Sequence, residues 1–241
     1  MPQLKQPSTL LNLVQKQIET IIISRSCSNA WIQHLGEIIP QSIAEEVLEN
    51  LCSKHENNNS CYEDLKNLFN LKIKRLEFKL HPGTNDECLT SLLTYVPRCE
   101  NLQKLFFSAD VCKKFSDAVT TIIENIDCFP HLVSLVLQSC LNILDTPSLT
   151  LNLLTKLQKM KNLLELDLTE AKFDENCHKN LLKMKNFQIL TLNNCKLSSI
   201  QVLQILTGLP RLRSVGKIHF LFTVMAIRNG TGTTPSNETG V

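Results

Sequence analysis

The sequence predicts an α/β fold made by repetition, with short parallel strands on one side, helices on the other, and stacked copies sharing one core. Two observations predict it. Residues 160–171 (MKNLLELDLTEA) and 184–195 (MKNFQILTLNNC) begin 24 residues apart and share one frame. In that frame an apolar residue follows Met-Lys-Asn, and two more stand three and five positions later: Leu163, Leu166, Leu168 and Phe187, Leu190, Leu192. The frame also recurs upstream, as Ile73, Leu76, Phe78; Leu102, Leu105, Phe107; and Leu132, Leu135, Leu137. Downstream, Leu212 and Val215 fill its first two places and Lys217 takes the third.

The first positions of the six copies are separated by 29, 30, 31, 24 and 25 residues. An L-x-x-L-x-L core at such a period is the mark of a leucine-rich repeat, in which a strand and a helix cannot bury their apolar sides alone. Stacking supplies the missing surface. The prediction is therefore a leucine-rich-repeat solenoid, strands lining the concave face and helices the convex face, preceded by a small three-helix N-terminal module. Cys140 and Cys195, three places past the last apolar residue of their copies, should satisfy the loops leaving the strands.

Taken in order, residues 1–55 form the helical module. Pro7, Ser8 and Thr9 offer a helix start. Leu10, Val14, Ile18 and Ile21 follow at helical spacing as one apolar stripe. A second helix after Ser28 turns Trp31, Leu35 and Ile38 inward. The third starts at Pro40, whose fixed φ suits a first helical position, and carries Ile43, Val47 and Leu51 as its stripe. Residues 56–64 are an asparagine-rich linker.

The repeats occupy residues 65–216, with helices expected over 86–96, 112–126, 148–159, 174–183 and 198–207. Alternation along each strand sends Arg75, Glu77, Lys104, Phe106, Ser134, Val136, Glu165, Asp167, Ile189 and Thr191 outward. Within that set, Phe106 and Val136 make an apolar spot flanked by Lys104, Glu165 and Asp167. With Ile189 they form the candidate partner surface. Residues 217–241 lack the frame and end in a low-complexity, irregular tail. No polar terminal cap is visible, so the chain reads as a truncated or alternatively ended form of a longer protein.

Two N-terminal patterns carry a resemblance. Thr9-Leu10-x-x-x-Val14-x-x-x-Ile18 resembles the BC box that docks Elongin C, with Val14 where the family has cysteine. Ile39-Pro40-x-x-Ile43-x-x-x-Val47 is similar to the cullin-2 box. Together they resemble a VHL box, and a VHL box ahead of leucine-rich repeats resembles the zyg/zer class of substrate receptors in cullin–RING ubiquitin ligases. The likeness covers residues 8 to about 216; the family's C-terminal armadillo-like domain has no counterpart. It implies Elongin B/C and cullin-2 as partners, with Thr9, Leu10, Val14 and Ile18 toward Elongin C. Ile39, Pro40, Ile43 and Val47 would face the cullin. Residues 38–51 also resemble the start of an F-box, which gives an alternative adaptor. A repeat scaffold or inhibitor without ligase partners is a third reading.

Composition narrows the field. Hydrophobic residues make up 43% and charged residues 20%, the balance of a globular chain. A net charge of +2 gives no reason to expect nucleic acid or a membrane surface as partner. The apolar run 218–227 is about half a membrane span. Ten cysteines, none in a C-x-x-C pair, read as reduced buried thiols of a cytoplasmic or nuclear protein. No nucleophile, metal or phosphate-binding motif is present, and no cofactor is expected. Cys177-His178 suggests a nucleophile and base, but adjacent helical residues point about 100° apart. They read as a structural cysteine beside an exposed histidine. The expectation is a binding module, not an enzyme.

Overall fold

The computed structural model describes residues 16–17, 40–53, 73–80, 86–143 and 147–216. Within them the architecture is α/β, with a five-stranded parallel sheet in the order of the chain. The strands are β1 (Arg75–Phe78), β2 (Lys104–Phe107), β3 (Ser134–Leu137), β4 (Glu165–Asp167) and β5 (Ile189–Thr191). Helix α1 (Gln41–Ser53) precedes them. Helix α2 (Asp86–Tyr95) leads to β2; α3 (Ala109–Lys114) and α4 (Ser116–Glu124) lead to β3. Helices α5 (Cys140–Ile143) and α6 (Pro147–Leu157) lead to β4. Helix α7 (Glu175–Leu181) joins β4 to β5, and α8 (Ser199–Gly208) follows β5. Each helix expected within the repeats is present, offset by one to three residues at most ends; the segment expected over 112–126 breaks at Phe115 into two helices. The first two helices expected in the N-terminal module, residues 16–17 apart, lie outside the described residues.

The register turns the sequence frame into layers. Leu76, Leu105, Leu135, Leu166 and Leu190 are paired strand to strand. All five are buried. Phe78, Phe107 and Leu137 form the next row. The rings of Phe78 and Phe107 stack 5.3 Å apart at 12°. The first frame positions, Ile73, Leu102, Leu132, Leu163 and Phe187, are buried as well. A leucine moved from water into such a row contributes about 1.5–3 kcal/mol, so every copy stabilises its two neighbours.

The backbone repeats just as regularly. The N–H groups of Gln103 and Lys104 both donate to the Lys74 carbonyl, at 2.8 Å each. Val133 and Ser134 do the same to Gln103, Leu164 and Glu165 to Val133, and Gln188 and Ile189 to Leu164. Arg213 and Ser214 repeat it on Gln188, and Ser214 forms a parallel bridge with Ile189. The sixth copy, deviant in sequence, thus begins as a strand. Lys217 lies outside the described residues. The Met-Lys-Asn signature has its own structural cause. Asn162 donates to the Pro130 carbonyl and Asn186 to that of Lys161, both at 3.2 Å. Each asparagine ties its turn to the turn one copy earlier.

In the first copy no carbonyl among the described residues takes this place for Lys74 and Arg75. Their N–H groups instead donate to Oε1 of Glu45 on α1, at 2.7 and 3.0 Å. A side-chain carboxylate stands in for a missing backbone acceptor, and unpaired backbone donors are costly where water is displaced. Around it Ile43, Ala44 and Val47 bury against the sheet end, Ile43 at 7% exposure and Val47 at 0%. Helix α1 is the N-terminal cap of the sheet.

Three expectations are corrected. Not all cysteines are reduced: Cys112 and Cys140 form a disulfide, because stacking of their copies brings the Cα atoms to 5.2 Å, within bridging range. Cys177 and Cys195 are free thiols and buried, and Cys99 is buried as well. Cys140 therefore does not serve its loop as a thiol, whereas Cys195 does, donating to the Leu168 carbonyl at 3.1 Å. Ser134 is not exposed (6%), since its short side chain lies between the longer Lys104 and Glu165 in the register. His178 is buried too, at 6%.

Candidate protein-interaction face

One face of the sheet carries the side chains that alternate with the buried rows. Along the first outward row, register places Arg75, Lys104, Ser134, Glu165 and Ile189 side by side. The second row reads Glu77, Phe106, Val136, Asp167 and Thr191. All six candidate partner residues therefore lie on one face, and Phe106 and Val136 are direct neighbours, as expected. Phe106 and Val136 are half-buried; Ile189 is 40% exposed.

Charge is graded across this face. Basic groups collect on β1 and β2, and carboxylates on β4. Glu77 sits among the cations, with Nε of Arg75 at 2.9 Å and Nζ of Lys79 at 2.6 Å. Partial burial alone would push the Glu77 carboxyl up, but its bonds to Lys79 and Arg75 outweigh this and hold it below the usual range. Lys79 also stands 5.2 Å from the centroid of Phe106, a cation–π contact the sequence frame did not suggest. On β4, Asp167 has a local task as well: its Oδ1 accepts from Thr169 N–H at 2.8 Å and Thr169 Oγ1 at 2.6 Å. That carboxylate shapes the strand exit. Such a face suits reversible protein recognition, with an apolar centre and charged flanks.

Of the N-terminal candidates, Thr9, Leu10, Val14, Ile18 and Ile39 lie outside the described residues. Pro40 is exposed at the start of α1. Ile43 and Val47, read in sequence as facing a cullin, are in the protein's own core. The amphipathic stripe is spent on capping the sheet, leaving Pro40, Ser42 and Glu46 outward.

The Cys177-His178 pair is not arranged for nucleophilic chemistry. Burial pushes the Cys177 thiol up to about 11, so the reactive thiolate is scarce near neutrality. The Cys177 N–H caps onto Asp174 Oδ1 at 2.6 Å, which marks this stretch as a helix start. Among the described residues no group of three potential metal ligands is gathered. Nor is any helix there long and apolar enough to cross a membrane. Compared with protein-family models, with curated proteins and with solved structures, the chain matches none of them.

Proposed function

We propose that this protein is a non-catalytic substrate-receptor or adaptor subunit of an Elongin–cullin RING E3 ubiquitin ligase. It is read as a leucine-rich-repeat solenoid whose outward strand residues hold a target. The observation that carries the ligase part is the order of patterns in the sequence. A BC-box-like helix (Thr9, Leu10, Val14, Ile18) and a cullin-box-like segment (Ile39, Pro40, Ile43, Val47) stand directly ahead of the repeated frame. The receptor part is supported by the polarised outward face around Phe106 and Val136. With Ile43 and Val47 inside, cullin contact falls to Pro40 and the exposed flank of α1. The working place proposed, the cytoplasm or nucleus, follows from the ligase reading and not from the cysteines, since Cys112 and Cys140 are bridged.

Co-expression tests it. Wild-type protein should co-purify with Elongin B/C and not with Skp-type adaptors. Leu10→Ser should abolish that association with the sheet still folded, and Pro40→Ala should spare Elongin C but weaken cullin recruitment. Co-purification with Skp instead would move the protein to the F-box alternative.

One observation favours a second reading, a repeat scaffold or inhibitor without ligase partners. Helix α1 is tied to β1 through Glu45, Ile43 and Val47, and a helix devoted to capping needs no external partner. A monomer indifferent to Elongin B/C would establish that reading.

A further inference from the structure

The turn that leaves the strand is the same in three successive copies. Ser139, Glu170 and Asn194, each two places past the last apolar frame residue, adopt left-handed φ of 58°, 64° and 58°. The residue after each is buried: Cys140, Ala171 and Cys195. The two cysteines have matching surroundings. Cys195 Sγ lies 3.1 Å from the carbonyl of Leu168, the last frame residue of the copy before, and 3.6 Å from that of Asn193. Cys140 Sγ lies 3.6 Å from each of the equivalent carbonyls, those of Phe107 and Gln138. One position thus exists in two chemical states within one molecule. At Cys195 it is a thiol that donates. At Cys140 it is bridged to Cys112, and a sulfur without its proton donates to neither carbonyl.

The residue opposite makes the difference. Cys112 stands five places past Phe107, and the same place five past Leu168 holds Phe173. In the copy between, Ala171 completes the turn with no sulfur at all. The fold therefore makes this turn with a bridge, with a thiol and with a methyl group. The sulfur–sulfur bond is added to a turn that does not need it, and opening it hands Cys140 a carbonyl to serve.

We infer that Cys112 and Cys140 are a reversible redox pair, closed by disulfide oxidants such as glutathione disulfide and opened by thiols, with the sheet folded in both states. In closing, one cysteine thiolate attacks glutathione disulfide, forms a mixed disulfide and expels one glutathione thiolate. The second cysteine thiolate attacks the protein sulfur of that mixed disulfide, forms the bridge and expels the other glutathione. Two electrons pass to the oxidant, and the two cysteine protons end on the two glutathione thiols.

Both cysteines are 0% exposed, so exchange goes through local opening. The helices that carry them suit this, since α3 has six residues and α5 four, too few to hold a helix without packing. The consequence is local as well. Strand β2 runs through Ser108 into α3, and β3 runs through Ser139 into α5. The bridge ties together the two strand exits that follow Phe106 and Val136, so opening it loosens that end of the outward face and leaves the leucine rows in place. This goes beyond the ligase reading and does not depend on it.

The test equilibrates the full chain in glutathione buffers, from oxidised glutathione alone to a reduced-to-oxidised ratio of about 100:1. Acid quenching, alkylation under denaturing conditions and peptide mass mapping then read the state of Cys112 and Cys140. The bridge should close in the oxidising buffer, open in the reducing one and close again on return, with unchanged far-UV circular dichroism. Amide exchange over residues 109–114 and 140–143 should be roughly tenfold faster or more in the open state, and unchanged in β2 and β3. Cys112→Ser should stay folded and exchange fast in both buffers. A bridge that survives the reducing buffer would be a structural cross-link and would overturn the inference. So would a pair that never closes, loss of the folded circular dichroism on opening, or equal exchange in the two states.

Discussion

Glu45 shows how one side chain closes a repeating structure. Every later copy finds a carbonyl in the copy before it, and the first finds a carboxylate. Glu45→Ala leaves two donors without their acceptor and should cost about 1–3 kcal/mol; Glu45→Gln keeps an acceptor oxygen and should recover most of it. Urea unfolding of both variants measures this, and equal losses would mean that packing of α1 matters more than the acceptor. None of it was legible in the sequence, where Glu45 reads as an acid near a helix start. His178 misled for a related reason: a polar residue on an amphipathic helix defaults to solvent until the neighbouring helix is known. The buried thiols give a pH signature. Burial pushes Cys99 and Cys195 up to about 12 from the ordinary 9.0. Folded-state pKa values above the unfolded ones mean full stabilisation below 9, lost progressively as pH rises toward 12. Stability should fall by about 1.4 kcal/mol per thiol for each pH unit in that window. Denaturation at pH 8 and 10 should show the loss, and Cys99→Ala/Cys195→Ala should flatten it.

At the level of the element, β2 separates structure from recognition within two adjacent residues. Phe107 is fully buried against Phe78, while Phe106 is half-buried on the opposite face under Lys79. Phe107→Ala should cost about 3–5 kcal/mol. Phe106→Ala should cost about 1 kcal/mol or less, chiefly the lost cation–π contact, yet weaken capture of a protein bound on the outward face. Thermal melts beside a binding assay check both, and a large stability loss for Phe106→Ala would place that ring in the core. Strand alternation was readable everywhere but at Ser134, because period-two burial writes itself into composition. Helix α1 was readable as a helix but not in its purpose. Ile43 and Val47 make the same stripe whether they meet a cullin or the protein's own sheet, so periodicity cannot choose between them. The Cys112–Cys140 bridge was hidden for another reason: it depends on which helices the stacking brings together, not on any local spacing.

For the molecule as a whole, the repeated frame dictated most of what the structure contains. Apolar residues at fixed places yielded the strand order, the leucine row and even the start of a sixth strand at Ser214. The ligase reading rests on the first helix, where the sequence pattern speaks and Thr9, Leu10, Val14 and Ile18 lie outside the described residues. Calorimetric titration of purified full-length protein with Elongin B/C measures it directly. Saturable binding at micromolar concentration or tighter, lost in Leu10→Ser, is the result the proposal requires, since one buried leucine contributes about 2–3 kcal/mol. Heatless injections at that concentration, from protein whose circular dichroism shows it folded, would contradict the proposal and leave the repeat scaffold in its place.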